Sequence, residues 1–209
     1  MPPANPYHSV RYAHEYDIRW RRYNRCTSNL LRTLLSEVPG TPQQILDVGC
    51  GTGNGLAILH QQFPEAQIVG LDPSEVMLNV AQGKRLANVR LQQGVLRDLG
   101  VEQYDLITSM SMFHYVQEPE QWLQHIRSHL APGGHVVLVD WDASGTLLGL
   151  RRWWLLRQPH IAHVYNQKEL EALLRQHFSI VDARRQACCR SWWSFQGYVL
   201  GMRNHEQVL

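Results

Sequence analysis

The segment Asp47-Val48-Gly49-Cys50-Gly51-Thr52-Gly53-Asn54-Gly55 places glycine at every second position from 49 to 55, directly after the apolar pair Ile45-Leu46. The expected local structure is a buried strand over 44–49 that runs into a glycine turn and then a helix over 54–63. Without Cβ atoms in the way, main-chain amides at such a turn approach a ligand closely, and the helix start presents unpaired N–H groups to anionic or electron-rich atoms. A nucleotide-like ligand is expected there. The dinucleotide fingerprint GxGxxG requires glycine where Asn54 stands, so the spacing is GxGxG and a nicotinamide cofactor is disfavoured.

Downstream of this turn the same alternation repeats. Strands are expected over 66–71, 89–91, 104–109 and 135–140, and helices over 74–83 and 118–130, with Pro132-Gly133-Gly134 closing the last of these. Strand and helix in strict alternation mean a parallel sheet with helices on both faces, an α/β fold of Rossmann-like type. The second strand ends at Asp72, in Val69-Gly70-Leu71-Asp72-Pro73-Ser74, where a carboxylate is placed to accept both hydrogen bonds of a ribose diol.

The flanks differ. Residues 1–12 are rich in proline and aromatics, and 13–38 carry Tyr16, Trp20, Tyr23, Leu30, Leu31, Leu34 and Leu35 at mostly helical spacing. An N-terminal helical extension, broken near Cys26, is expected. Residues 145–165 suggest an apolar, arginine-flecked helix and a loop, 167–177 a helix, and 178–186 and 192–203 two closely joined strands, which must pair antiparallel. The expected layout is one domain over 1–209: an N-terminal arm and helix over 1–43, a ligand-binding core over 44–140, an insertion over 141–166, and a final helix and strand pair over 167–209.

With 209 residues, 44% hydrophobic and 18% charged, the chain has the composition of one folded domain, and long intrinsic disorder is excluded. A net charge of +2 argues against a nucleic-acid partner on charge alone. Cys26, Cys50, Cys188 and Cys189 form no CxxC pair, so no disulfide framework and no zinc site are expected, and a reducing cytoplasm is the default. The opening Met1-Pro2-Pro3-Ala4-Asn5-Pro6 lacks the basic and apolar regions of a signal peptide, and no apolar stretch approaches the roughly 20 residues that span a bilayer. A soluble protein with at most peripheral membrane contact is expected.

The combination of Ile45-Leu46-Asp47-Val48-Gly49-Cys50-Gly51-Thr52-Gly53, Gly70-Leu71-Asp72-Pro73-Ser74 with Met77-Leu78, Tyr104-Asp105-Leu106-Ile107 and Leu130-Ala131-Pro132-Gly133-Gly134 resembles the class I S-adenosylmethionine-dependent methyltransferases. The resemblance spans roughly 40–140 and is similar in flavour to the small-molecule branch that includes ubiquinone and menaquinone methyltransferases. It implies a seven-stranded, mostly parallel sheet with an antiparallel last strand, and S-adenosylmethionine as cofactor. It implies that Gly49, Gly51 and Gly53 line the methionine part and ribose, that Asp47 holds the amino group, that Asp72 takes the ribose hydroxyls and that Pro73 packs on adenine. Cys50, Met77, Ser109 and Tyr16 belong to the same implied site. The family commonly has an acid after the third strand to meet the adenine amino group. Gln93-Gly94-Val95-Leu96 has none, so adenine is left to the backbone of Val95 and Leu96, or to Asp98.

Methyl transfer from a sulfonium is an in-line displacement that needs positioning and exclusion of water more than an elaborate catalytic apparatus. An acceptor oxygen or carbon must still lose a proton, and His114, just past the fourth strand, is the leading candidate for the base, ahead of Asp142, His160, His163 and Tyr165. The segment Ser109-Met110-Ser111-Met112 lacks the motif of amino-nitrogen methylation of bases, a Pro-Cys nucleophile and an acidic metal ligand, so no nucleic acid and no metal are expected. Leu148, Trp153 and Trp154 would suit an apolar acceptor. The expected activity is methylation of an oxygen or carbon on a small hydrophobic or aromatic acceptor. A non-catalytic S-adenosylmethionine-binding module and a methyltransferase acting on a macromolecule are the alternatives. Sequence leaves the oligomeric state open.

Overall fold

The computed structural model describes residues 6–144, 152–188 and 193–202. The N-terminal extension consists of α1 (Val10–Arg19) and α2 (Arg21–Leu35). Ser9 starts α1 by accepting a hydrogen bond from the Tyr12 N–H at 3.4 Å, a side-chain cap for one of the unpaired amides. The break falls at Trp20 (φ −103, ψ 17) and not near Cys26. The reason is packing: the Trp20 indole donates to the Tyr12 hydroxyl at 3.1 Å while its ring meets Tyr23 edge-on at 5.7 Å.

The sheet contains β1 (Gln44–Val48), β2 (Gln67–Asp72), β3 (Val89–Gln93), β4 (Tyr104–Met110), β5 (Leu130–Trp141), β6 (Phe178–Ala187) and β7 (Ser194–Met202), in the order β3-β2-β1-β4-β5-β7-β6. Strands β1 to β5 run parallel, and β7 is antiparallel to both β5 and β6. This is the expected seven-stranded α/β sheet. The crossovers hold α3 (Asn54–Gln62), α4 (Glu75–Gln82), α5 (Pro119–Ser128) and α6 (Gln167–His177). Strand order reverses between β1 and β4, and a crevice opens at their carboxyl ends.

One boundary differs from expectation. Strand β5 begins at Leu130, which pairs with Tyr104, and passes through Pro132-Gly133-Gly134 with a register shift before His135 pairs with Leu106. The proline and glycines bend an edge of the strand instead of preceding it.

Two cores cover the two faces. Ile45 and Leu106 face α2 and α3, where Leu30, Leu31, Leu34 and Leu35 recur at helical spacing. Leu46 and Ile107 face α5 and α6 through Leu123, Ile126, Leu170 and Leu174. Helix α2 lies so close to β7 that a Cβ on Gly197 would overlap the Leu34 side chain. None of the described helices is long and apolar enough to cross a membrane.

The cysteines depart from expectation. Cys26, in the middle of α2, forms a disulfide with Cys188 at the end of β6, across a sequence separation of 162. Docking of α2 on the sheet brings together two residues whose spacing suggests nothing. A cross-link over so long a loop chiefly restricts the unfolded chain, so reduction is expected to lower the unfolding free energy by about 2–5 kcal/mol. Denaturant unfolding with and without reductant measures this, and a Cys26→Ser variant should match the reduced protein.

Candidate active site

The turn after β1 doubles back over the end of β2. The N–H groups of Gly49 and Cys50 both donate to the Leu71 carbonyl, at 2.8 and 3.1 Å. Gly49, Gly51 and Gly53 adopt φ of +74, +52 and +82, values that favour glycine. A Cβ on Gly49 would also overlap Met112, so the close approach requires glycine there twice over.

Asp72 ties this turn to the next one. Its Oδ2 accepts from the Gly51 N–H at 2.9 Å and its Oδ1 from the Ser74 N–H at 2.8 Å. Burial pushes its pKa up, and the two backbone donors work against that rise. A carboxylate has about four lone-pair sites, so each oxygen keeps capacity for a ligand hydroxyl.

Asp47 is buried at 2% exposure, and its Oδ1 accepts from Thr108 on the adjacent strand β4 at 2.7 Å. Its Oδ2 accepts nothing from a described residue and stands 2.7 Å from where a Cβ on Gly55 would lie. Burial raises its pKa to about 7, helped by the charge of Asp72 and opposed by the Thr108 hydroxyl. Two carboxylates in one poorly solvated crevice favour a cationic ligand.

The N-terminal segment closes over this crevice. Ser74 Oγ donates to the Tyr7 carbonyl at 2.5 Å, and the Tyr7 and Tyr115 hydroxyls are hydrogen-bonded at 2.5 Å. From α1, Asp17 Oδ1 accepts from Thr52 Oγ1 and Asn54 Nδ2, each at 2.7 Å, and its Oδ2 pairs with Lys84 Nζ at 3.0 Å. Burial acts to raise the Asp17 pKa, but these three partners hold it below the ordinary value. Beneath the closed segment is a cavity of about 990 Å³, large for a single small-molecule site and roomy enough for a nucleotide-sized ligand with a second small molecule.

The structure brings Asp47, Gly49, Cys50, Gly51, Asp72, Pro73, Met77, Val95, Leu96 and Tyr16 to the wall of this cavity. Burial raises the Cys50 thiol pKa, which makes it a wall and not a nucleophile. Gly53 is off the wall: it caps α3 without a side chain, and a Cβ added to it would lie 3.1 Å from the Ala81 side chain. Ser109 is fully buried in the sheet and does not line the cavity. Asp98 also lies off it, because its Oδ2 accepts from the Val95 N–H at 2.9 Å within its own turn.

His114 is likewise set behind the wall. Its Nδ1 is 2.7 Å from Asp140 Oδ1, its ring stacks on Trp141 at 3.7 Å, and it is 2% exposed. The histidines that do reach the cavity are His8, His125 and His160. Trp153 and Trp154 are 63% and 53% exposed and do not line it, and Leu148 lies outside the described residues. The apolar wall comes instead from Met110, Met112, Tyr115 and Trp122. Tyr7, Asp17, Asn24 and Lys84 escaped sequence reasoning, since they sit on elements whose docking no local pattern encodes.

A family model described as a methyltransferase domain matches residues 18–177. The chain belongs to the methyltransferase domain family. Among curated proteins it is 34% identical over 117 residues to trans-aconitate 2-methyltransferase of Deinococcus radiodurans, covering 56% of this chain and 45% of that protein. It is 29% identical over 143 residues to malonyl-[acyl-carrier protein] O-methyltransferase of a Paenibacillus species, covering 63% of this chain and 52% of that protein. The chain thus spans about half the length of these curated relatives. A likeness of fold alone links it to the Burkholderia thailandensis 1,6-didemethyltoxoflavin N1-methyltransferase, solved with its substrate and S-adenosylhomocysteine, at TM-score 0.71 and 19% identity over 98% of this chain and 93% of that one. The methyltransferase complexed with Haloferax volcanii Trm112 gives TM-score 0.75 and 18% identity, over 93% and 95%.

Asp47 makes a testable electrostatic claim about this methyltransferase-family site. A carboxyl whose folded pKa is about 7 against an ordinary 3.8 stabilises the fold most below the ordinary value and loses that contribution as pH rises through 7. Asp47→Asn should therefore gain on the unmodified chain between pH 4 and 7, by up to ~1.4 kcal/mol per pH unit. Denaturant unfolding of both proteins across this range is the measurement.

Proposed function

We propose that the chain binds S-adenosylmethionine in this crevice and methylates an oxygen or carbon of a small acceptor whose reacting part is aromatic or apolar. The observation that carries the reading is the pairing of Asp72, with both oxygens pre-aligned by backbone amides, with Asp47, whose Oδ2 is left open beside a glycine. When bound, the cofactor supplies a methyl group on a positively charged sulfur, displaced in line by the acceptor while the bond electrons return to sulfur.

The residues suit that ligand. Asp47 Oδ2 receives the α-ammonium group, which holds the carboxylate ionised near neutral pH against its own burial. Asp72 takes the ribose hydroxyls. Pro73, Met77, Val95 and Leu96 form an apolar slot for the adenine, with no acid on that wall. The absence of an acid there is consistent with recognition by main-chain groups of Val95 and Leu96.

Tyr7 and Tyr16 from the arm over 1–43 and His160 from the cap segment over 141–166 stand on the cavity wall beside the acceptor. Tyr7, Tyr16 and Tyr115 give rings for stacking, and no lysine stands on the wall, where Arg97 beside Val95 and Leu96 is the only arginine among the described residues. That makes a carboxylate acceptor, of the kind named for the trans-aconitate enzyme, a poor fit. With His114 set behind Tyr115, the proton acceptor is His160. Burial and the nearby His114 lower its pKa, so the ring is neutral at pH 7 and its free nitrogen can accept a proton. Its ring lies 5.8 Å from Tyr115 and 6.3 Å from Tyr7.

Titration calorimetry with S-adenosylmethionine and S-adenosylhomocysteine, followed by a labelled-methyl screen of metabolite extracts, tests the reading. Asp72→Ala should weaken both ligands at least tenfold, and equal affinity in that variant would sink it. Binding with no labelled product would indicate a non-catalytic module. Once an acceptor is in hand, His160→Gln should lower kcat by about 10²–10⁴ with S-adenosylhomocysteine affinity intact.

A further inference from the structure

A second cavity, of about 390 Å³, lies between α2 and α3. On the α2 side it is lined by Arg21, Arg25 and Arg32, with Ser28 and Asn29 between them. The spacing i, i+4, i+7, i+8, i+11 puts all five on one helix face. The three arginines are exposed, and none is ion-paired or hydrogen-bonded to a described residue. Like charges one turn apart repel. The facing side of α3 offers Asn54, Ala57, Ile58 and Gln61, which carry no charge to offset them.

The one acid on this groove is Asp17, and its carboxylate is already taken by Thr52, Asn54 and Lys84. Guanidinium groups present a planar fork of donors that matches phosphate oxygens two at a time. At the inner end, Asn24 and Asn54 line both this groove and the main cavity. Asn24 Nδ2 is buried without a hydrogen-bond partner among the described residues. The groove is therefore a positively charged recess with unsatisfied donors, sized for a small molecule and not for a protein surface.

We infer that this groove binds a small phosphate-bearing anion of di- or triphosphate size, with Arg25 and Arg32 as its principal contacts and Asn24 as the inner donor. The groove adjoins the main cavity at Asn24 and Asn54, but the inference does not rest on the methyl-transfer reading.

Inorganic tripolyphosphate is the probe, titrated calorimetrically into the full chain. Saturable one-to-one binding is expected, at least tenfold weaker in the Arg25→Ala/Arg32→Ala variant and unchanged in Arg90→Ala, an exposed arginine on β3. Thermal unfolding and S-adenosylhomocysteine affinity measured on the same samples show that the double variant is folded, and they separate failure of this site from failure of the cofactor assignment. The phosphate has two potential sources, and the labelled-methyl screen distinguishes them. If it belongs to the acceptor, tripolyphosphate inhibits labelling and the double variant loses labelled product; if it is a free anion, labelled products persist in the variant. No saturable heat, an affinity unchanged in the double variant, or equal weakening in Arg90→Ala overturns the inference.

Discussion

The carboxylate of Asp72 holds the functional end of this molecule together. One oxygen fixes the glycine turn after β1 through the Gly51 N–H, and the other fixes the turn into α4 through the Ser74 N–H. Ser74 then caps α4 by accepting from the Met77 N–H and donates its own hydroxyl to the Tyr7 carbonyl. Tyr7 in turn bonds Tyr115 on the far wall. A single buried acid at a strand end thus begins a chain of hydrogen bonds that crosses from the glycine turn to the far wall of the cavity. Removing it would leave buried backbone donors unpaired at two turns, which is costly in itself.

Electrostatics explain why so much of the site is backbone. Asp47 and Asp72 are both buried and both have raised pKa values, because two carboxylates share one poorly solvated crevice. A ligand that carries ammonium and sulfonium groups offsets their charge, whereas an anion or a neutral nucleotide does not. Ser111, which lines the cavity, adopts φ +60 without being glycine, as do Arg85 and Asn88 between α4 and β3 with φ of +50 and +58. Helix α1 is held by a different kind of contact, the Asp17 cluster with Thr52, Asn54 and Lys84, which ties it to the glycine turn.

Much of the fold was legible in the sequence because its signals are local. Apolar runs such as Ile45-Leu46 alternate their side chains between the two cores, and amphipathic stretches such as Leu30, Leu31, Leu34 and Leu35 bury one face. The errors arose where long-range packing overrides a local cue. The helix break moved to Trp20 because its ring has partners on α1 and α2, and Pro132-Gly133-Gly134 lies inside β5 because Leu130 already pairs with Tyr104. The position of His114 after β4 makes it a candidate base, but that position alone does not say whether the ring reaches the cavity. Asp140, one strand over, and the Trp141 ring draw it behind the wall.

The sequence by itself determined the element order, the glycine turn and the strand-end carboxylates, because these depend on residues adjacent in the chain whose backbone conformations and periodicities are set by their own side chains. Tertiary structure alone decided what stands opposite them. The lid contacts from Tyr7 and Asp17, the arrival of His160 at the cavity, the Cys26–Cys188 link across 162 residues and the unpaired arginine face of α2 all follow from how helices and loops dock on the sheet. Docking is governed by the sum of many weak apolar contacts spread over the whole chain, and no short segment carries that sum.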